Sequence, residues 1–192
     1  MKKAVKFIIF IFFIACFIYL GTRDYEIDTK KKINNKKTSE VLFSDDTVFT
    51  EVNHSKLLSR LSSSSANLII YACIDSNKIC ASYGNLINEV AKNYSISEIY
   101  YYDFLDDRNN NNATYQKIIS YFKDYLYTDD LGKQHFQAPT LIIIKDGNIF
   151  AFDDELSRYR GDVKQSEYLT DEKLEEKRLY LINVLEGYLE NE

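Results

Sequence analysis

The chain has 192 residues, 45% hydrophobic and 28% charged, which excludes an intrinsically disordered protein and supplies material for one ordinary domain. Its net charge of −5 provides no overall basic field, so no nucleic-acid partner is expected. Aromatic content of 15% is ample for a core, and a single proline, Pro139, makes that position informative.

Lys2 and Lys3 precede a nearly uncharged apolar run from Phe7 to Leu20. Counted from Ala4 to Gly21, the run approaches the lower limit for a membrane span, which usually takes about 20 residues. The basic flank places the N-terminus in the cytoplasm and the remainder outside. Phe13-Ile14-Ala15-Cys16 loosely matches a lipoprotein signal. Phe three places before the cysteine and the continuing apolar run oppose that reading. The expected organisation is an N-terminal membrane anchor over 1–22, a polar linker over 23–46 and a domain over 47–192. The lysines between Lys30 and Lys37 belong to the solvated linker.

Within the domain, Val48–Val52 favours a short strand, and Asn53 or Ser55 can cap a helix through Leu61. Asn67–Ala72 is a continuous apolar run suited to a strand buried on both faces. A helix follows near Lys78, with Ile79, Tyr83, Leu86, Ile87, Val90 and Ala91 at three-and-four spacing. Glu98–Asp103 reads as a strand, and the acidic group Asp103, Asp106 and Asp107 as a strand-end loop. Asn112 is a cap for a helix from Ala113 to about Leu126. Tyr127–Gln137 reads as a loop able to contact a partner. Thr140–Ile144 is a second deeply apolar strand, and Asp146-Gly147 turns it into an antiparallel strand over Asn148–Phe152. Thr170 caps a last helix over Asp171–Leu189. Helix-separated strands plus one hairpin predict an α/β fold, a mixed sheet with helices on both faces.

Over residues 47 to 190 this order resembles the thioredoxin-like superfamily. The residues that carry the resemblance are Leu68–Ala72, the helix from Cys80, and Ala138-Pro139-Thr140-Leu141 running into Lys145-Asp146-Gly147. With Tyr101-Tyr102-Asp103 before a polar loop, the chain also resembles the membrane-anchored thioredoxin-like proteins called bacteriocin transport accessory proteins. The resemblance implies a cis bond before Pro139, and Ala138, Pro139 and Thr140 as a loop that binds extended substrate. Taken without the family, Ala138-Pro139 is an ordinary trans turn before a strand.

The redox motif departs from the family's Cys-x-x-Cys. Aligned on the helix, Cys80 matches the second cysteine and Asn77 stands where the nucleophile is expected. Ile69 stands where a buried acid is often found. The other thiol is Cys73, giving Cys-x6-Cys. Cys73 and Cys80 are the candidate catalytic pair, with a structural disulfide or two unrelated thiols as alternatives. A metal site of Cys73, Cys80 and His135 has no recognised spacing, so no metal and no cofactor is expected. The reading is of an extracytoplasmic thiol-disulfide oxidoreductase acting on exported proteins. The alternative is a non-catalytic adaptor in a cell-surface or export assembly.

Overall fold

The structure is a computed structural model that describes residues 46–158 and 164–190. The expected membrane helix of 1–22, and the linker up to residue 45, lie outside the described residues. Among the described residues no helix is long and apolar enough to cross a membrane.

In chain order the elements are β1 (Phe49–Glu51), α1 (His54–Leu61), β2 (Leu68–Cys73), α2 (Lys78–Asn93), β3 (Ile99–Asp103), α3 (Leu105–Asn109), α4 (Ala113–Tyr121), β4 (Tyr127–Thr128), β5 (Gln134–His135), β6 (Thr140–Lys145), β7 (Asn148–Asp153), a 3-10 turn (Glu155–Arg158), α5 (Gln165–Tyr168) and α6 (Asp171–Leu189). The main sheet has the order β1-β3-β2-β6-β7. β1, β3 and β2 are parallel, β6 runs antiparallel to β2, and β7 antiparallel to β6.

All six residues of β2 are buried, as its unbroken apolar run requires. Successive side chains point to opposite faces, so β2 feeds two cores. Ile69, Tyr71 and Cys73 meet α2 and α6. Leu68, Ile70 and Ala72 meet α1 and α4. The result is a central mixed sheet flanked by helices on both faces, the α/β arrangement expected from the order of elements.

Capping follows the polar residues at the element junctions. The Asn53 carboxamide accepts from Lys56 N–H, and the Thr170 hydroxyl from Lys173 N–H. At the β6–β7 turn Asp146 and Gly147 both have positive φ, 51° and 74°, which suits a tight hairpin. A Cβ at Gly147 would meet the Ser64 carbonyl oxygen at 2.2 Å, so this turn needs glycine for space as well. Lys145 closes the far end of α6 by donating to the carbonyls of Gly187 and Tyr188.

Three stretches differ from the sequence expectation. The acidic strand-end loop contains α3, started by the Asp103 carboxylate accepting from Leu105 N–H at 2.9 Å. Helix α4 stops at Tyr121 rather than near Leu126. Phe122 is fully buried, and Tyr125 N–H turns back to the Phe122 carbonyl. The segment read as a loop holds the β4–β5 hairpin. There the Asp129 carboxylate accepts from the N–H groups of Leu131 and Lys133, and Gly132 has φ 73°.

Among the described residues, a buried ion pair joins α6 to the end of β7. Lys177 of α6, 3% exposed, donates to both carboxylate oxygens of Asp153 at 2.7 and 2.9 Å. Asp153 also accepts from the Tyr83 hydroxyl at 2.7 Å. Lys173 and Lys177 hold the nearby Glu155 carboxyl down at about 2. Removing one partner of a buried pair strands the other's charge. Lys177→Ala is expected to cost about 3 kcal/mol in urea unfolding. A loss below about 1 kcal/mol would place the pair among ordinary surface bridges.

Candidate functional site

Strand β2 ends at Cys73, and helix α2 begins at Lys78, so a short loop must reverse the chain between them. Asn77 organises that reversal. Its Oδ1 accepts from the N–H groups of Ile79 and Cys80 at 2.9 and 3.4 Å, satisfying two orphan donors of the helix end. Its Nδ2 donates to the Ala138 carbonyl at 3.1 Å. A carboxamide offers an acceptor and a donor on separate atoms at once. Asn77 therefore ties the helix start to the segment across the sheet.

That segment carries the second set of expected residues. The Ala138–Pro139 bond is cis. Thr140 is buried, pairs with Ala72 in the sheet, and donates its hydroxyl to the Gln137 carbonyl at 2.6 Å. The structure thus brings the loop between the cysteines against Ala138, beside the carboxyl end of β2.

Cys73 and Cys80 form a disulfide with a Cα–Cα distance of 6.1 Å. This lies within the usual range for bridged cysteines. Both are sealed from solvent, Cys73 at 0% and Cys80 at 1% exposure. The Tyr71 hydroxyl donates to the Cys80 carbonyl at 2.7 Å, and Ile74 N–H lies 3.5 Å from the Cys80 sulfur. Closing so short a loop contributes about 2 kcal/mol by restricting the unfolded chain.

Two carboxyls, Asp75 and Asp103, stand near the bridge. Asp103 is the register partner of Cys73, and Asp75 follows it two residues on. Asp75 N–H donates to the Asp103 carboxylate, and the Tyr101 hydroxyl donates to Asp75. Burial raises the Asp75 carboxyl above its ordinary range, against the opposing Tyr101 bond and with the charge of Glu51 adding to the rise. Burial also raises Asp103, against the N–H groups of Leu105 and Asp75. The signal for this pair was the parallel register of β2 and β3, which aligns the ends of the two strands. Such carboxyls are suited to exchange protons with a thiol released at the strand end.

His135 is not part of this arrangement. The β4–β5 hairpin holds its Nδ1 3.9 Å from the Asp129 carboxylate, and both thiols are consumed in the bridge. Among the described residues no group of three or more His, Cys, Asp or Glu is placed to hold a metal ion. His54, at the start of α1, meets Asp107 at 2.9 Å, and Asp107 also accepts from the Tyr102 hydroxyl at 2.7 Å.

No protein-family profile matches the chain, and no curated protein matches it. Among solved structures, thioredoxin O1 from Arabidopsis thaliana in its oxidised state is similar over 55% of this chain and 83% of that one. The identity is 16% and the TM-score 0.38.

The raised Asp75 carboxyl has a definite sign in stability. A carboxyl whose folded-state pKa exceeds its unfolded value penalises folding when ionised, so the penalty is full at neutral pH. The penalty fades as pH falls through the folded pKa toward the unfolded one. Asp75→Asn removes the titration, so its stability relative to the native chain is expected to be greatest near pH 7 and to fall toward pH 4. Paired urea unfolding curves at the two pH values check this, with the Glu155 contribution common to both proteins. A difference independent of pH would refute the assignment.

Proposed function

We propose that this chain is a membrane-anchored, extracytoplasmic thioredoxin-like protein that exchanges disulfides with exported proteins through Cys73 and Cys80. One observation carries the reading. A disulfide stands at the junction of the central strand and the following helix, and its loop touches Ala138, just before cis Pro139. The basic flank and apolar run of residues 2–20 support the anchor and the outward orientation.

In this reading a thiolate of the substrate attacks one sulfur of the bridge. The Cys73–Cys80 bond breaks, a mixed disulfide forms, and the other cysteine leaves as a thiolate that takes up a proton. A second substrate thiolate then attacks the mixed disulfide. Two electrons pass to the protein, which ends as the dithiol, and the substrate ends as the disulfide. Ala138, Pro139 and Thr140 are the proposed substrate-binding loop. Since both sulfurs are buried, attack requires residues 74–79 to open first.

The same burial favours a second reading. With Asn77 in place of a thiol at the helix start, the bridge is a structural clasp and the domain a non-catalytic adaptor in an export or cell-surface assembly. The two readings part in a defined thiol buffer without denaturant. The exchange reading expects native protein to be reduced to Cys73 and Cys80 thiols. It also expects Cys73→Ser and Cys80→Ser to abolish cysteine-dependent exchange with a small disulfide and with an exported-protein substrate. Reduction only in urea, with no exchange by the native chain, would sink the oxidoreductase and leave the adaptor.

A further inference from the structure

A second concavity lies away from the bridge. It is a cleft of about 920 Å³ between α3–α4 on one side and the β4–β5 hairpin on the other. Its size suits several residues of a bound chain. Arg108, Lys123 and Lys133 line it, and among the described residues none of the three has an ion-pair partner. Arg108 is held in place by stacking over the Phe104 ring at 5.5 Å.

One acid in the lining, Asp129, offsets only part of this charge and leaves the three cations in excess. The Asp129 carboxylate is occupied within the hairpin by the N–H groups of Leu131 and Lys133, and it faces His135 as well. The hairpin is itself fixed to the end of α4, because Gln134 Nε2 donates to the Lys123 carbonyl at 2.6 Å. The cleft is therefore a preformed, locally cationic wall on a protein whose net charge is −5. Beside it Tyr127 is half exposed with its ring against His135, and Leu131 stands 81% exposed at the hairpin tip.

These features select a class of ligand. A single phosphate would need donors converging on a point, usually backbone N–H groups at a helix start. The nearest such start, that of α4, is already filled, since the Asn112 carboxamide accepts from Thr114 and Tyr115 N–H. Separated cations beside an exposed tyrosine and leucine instead match a chain with several carboxylates and apolar or aromatic side chains between them.

We infer that this cleft docks an acidic peptide segment of the protein partner. The inference rests on the proposed engagement of a protein partner, whether as substrate or as assembly component, and it adds the partner's chemistry. Docking here holds the partner's chain by charge and leaves the bridge and Pro139 loop to act separately.

The test uses the full-length oxidised chain in neutral-detergent micelles and a fluorescent peptide of alternating Glu and Tyr, read by anisotropy. The same peptide with Gln for Glu is expected to bind at least about tenfold more weakly. Lys123→Glu with Lys133→Glu is expected to weaken the Glu peptide by about tenfold. Lys56→Glu with Lys117→Glu makes the same change of charge on exposed lysines outside the cleft, and is expected to weaken it less than about twofold. Circular dichroism checks that both doubles keep the fold. Equal losses in the two doubles, or equal binding of the Glu and Gln peptides, would overturn the inference. So would binding of inorganic phosphate without the peptide, or a dimer of the protein alone that the Lys123/Lys133 double splits. Peptide binding that survives while thiol exchange is absent defeats the oxidoreductase alone. Exchange without peptide binding defeats the acidic partner alone.

Discussion

Strand β2 has neighbours on both edges and helices over both faces, so nothing within it can meet solvent. The backbone hydrogen bonds of such a strand must be complete, and its side chains must satisfy two cores at once. The constraint ends abruptly at Cys73, where the chain must leave the interior and reverse into a helix. Every feature of the candidate site serves that exit. Asn77 caps the new helix, the disulfide fixes the loop, and Thr140 continues the sheet beside Ala72.

The chemical ambiguity has the same origin. A thiol at the start of a helix gains from the N–H groups and dipole there, which favour the thiolate. In this chain those N–H groups are taken by a carboxamide, and the other thiol stands at the end of the strand. The bridge thereby exchanges access for burial. It fixes the turn with both sulfurs sealed from solvent. Two carboxyls raised by burial stand near this exit, Asp75 in the loop itself and Asp103 at the end of the neighbouring strand.

Much of this fold is legible in the sequence. The apolar run at Asn67–Ala72 suits a strand buried on both faces and Asp146-Gly147 suits a tight hairpin turn, and the main sheet is built on both. Caps at Asn53, Asn112 and Thr170 lie where their residue types predict. The pairing of Cys73 with Cys80 was one of several readings because sequence spacing carries no Cβ direction. Asn77 read as a missing nucleophile, while its role as cap and tie depends on the distant Ala138 carbonyl. The β4–β5 hairpin was hidden because each strand has two residues, too few for an alternating pattern, and its turn is closed by the Asp129 side chain together with backbone bonds from Asp129 and Gly132 N–H. The cationic cleft was hidden for a related reason: Arg108, Lys123 and Lys133 are scattered in sequence and meet only through that hairpin.

The carboxamide of Asn77 also governs how the site ages. Asparagine side chains hydrolyse slowly to carboxylates, and here the two atoms of the amide perform opposite tasks. The oxygen would survive the change and still accept from Ile79 and Cys80. The nitrogen would become an anionic oxygen facing the Ala138 carbonyl, turning attraction across the sheet into repulsion. Hydrolysis of this one amide would thus erase the tie between the helix start and the proline segment while leaving the cap and the disulfide in place.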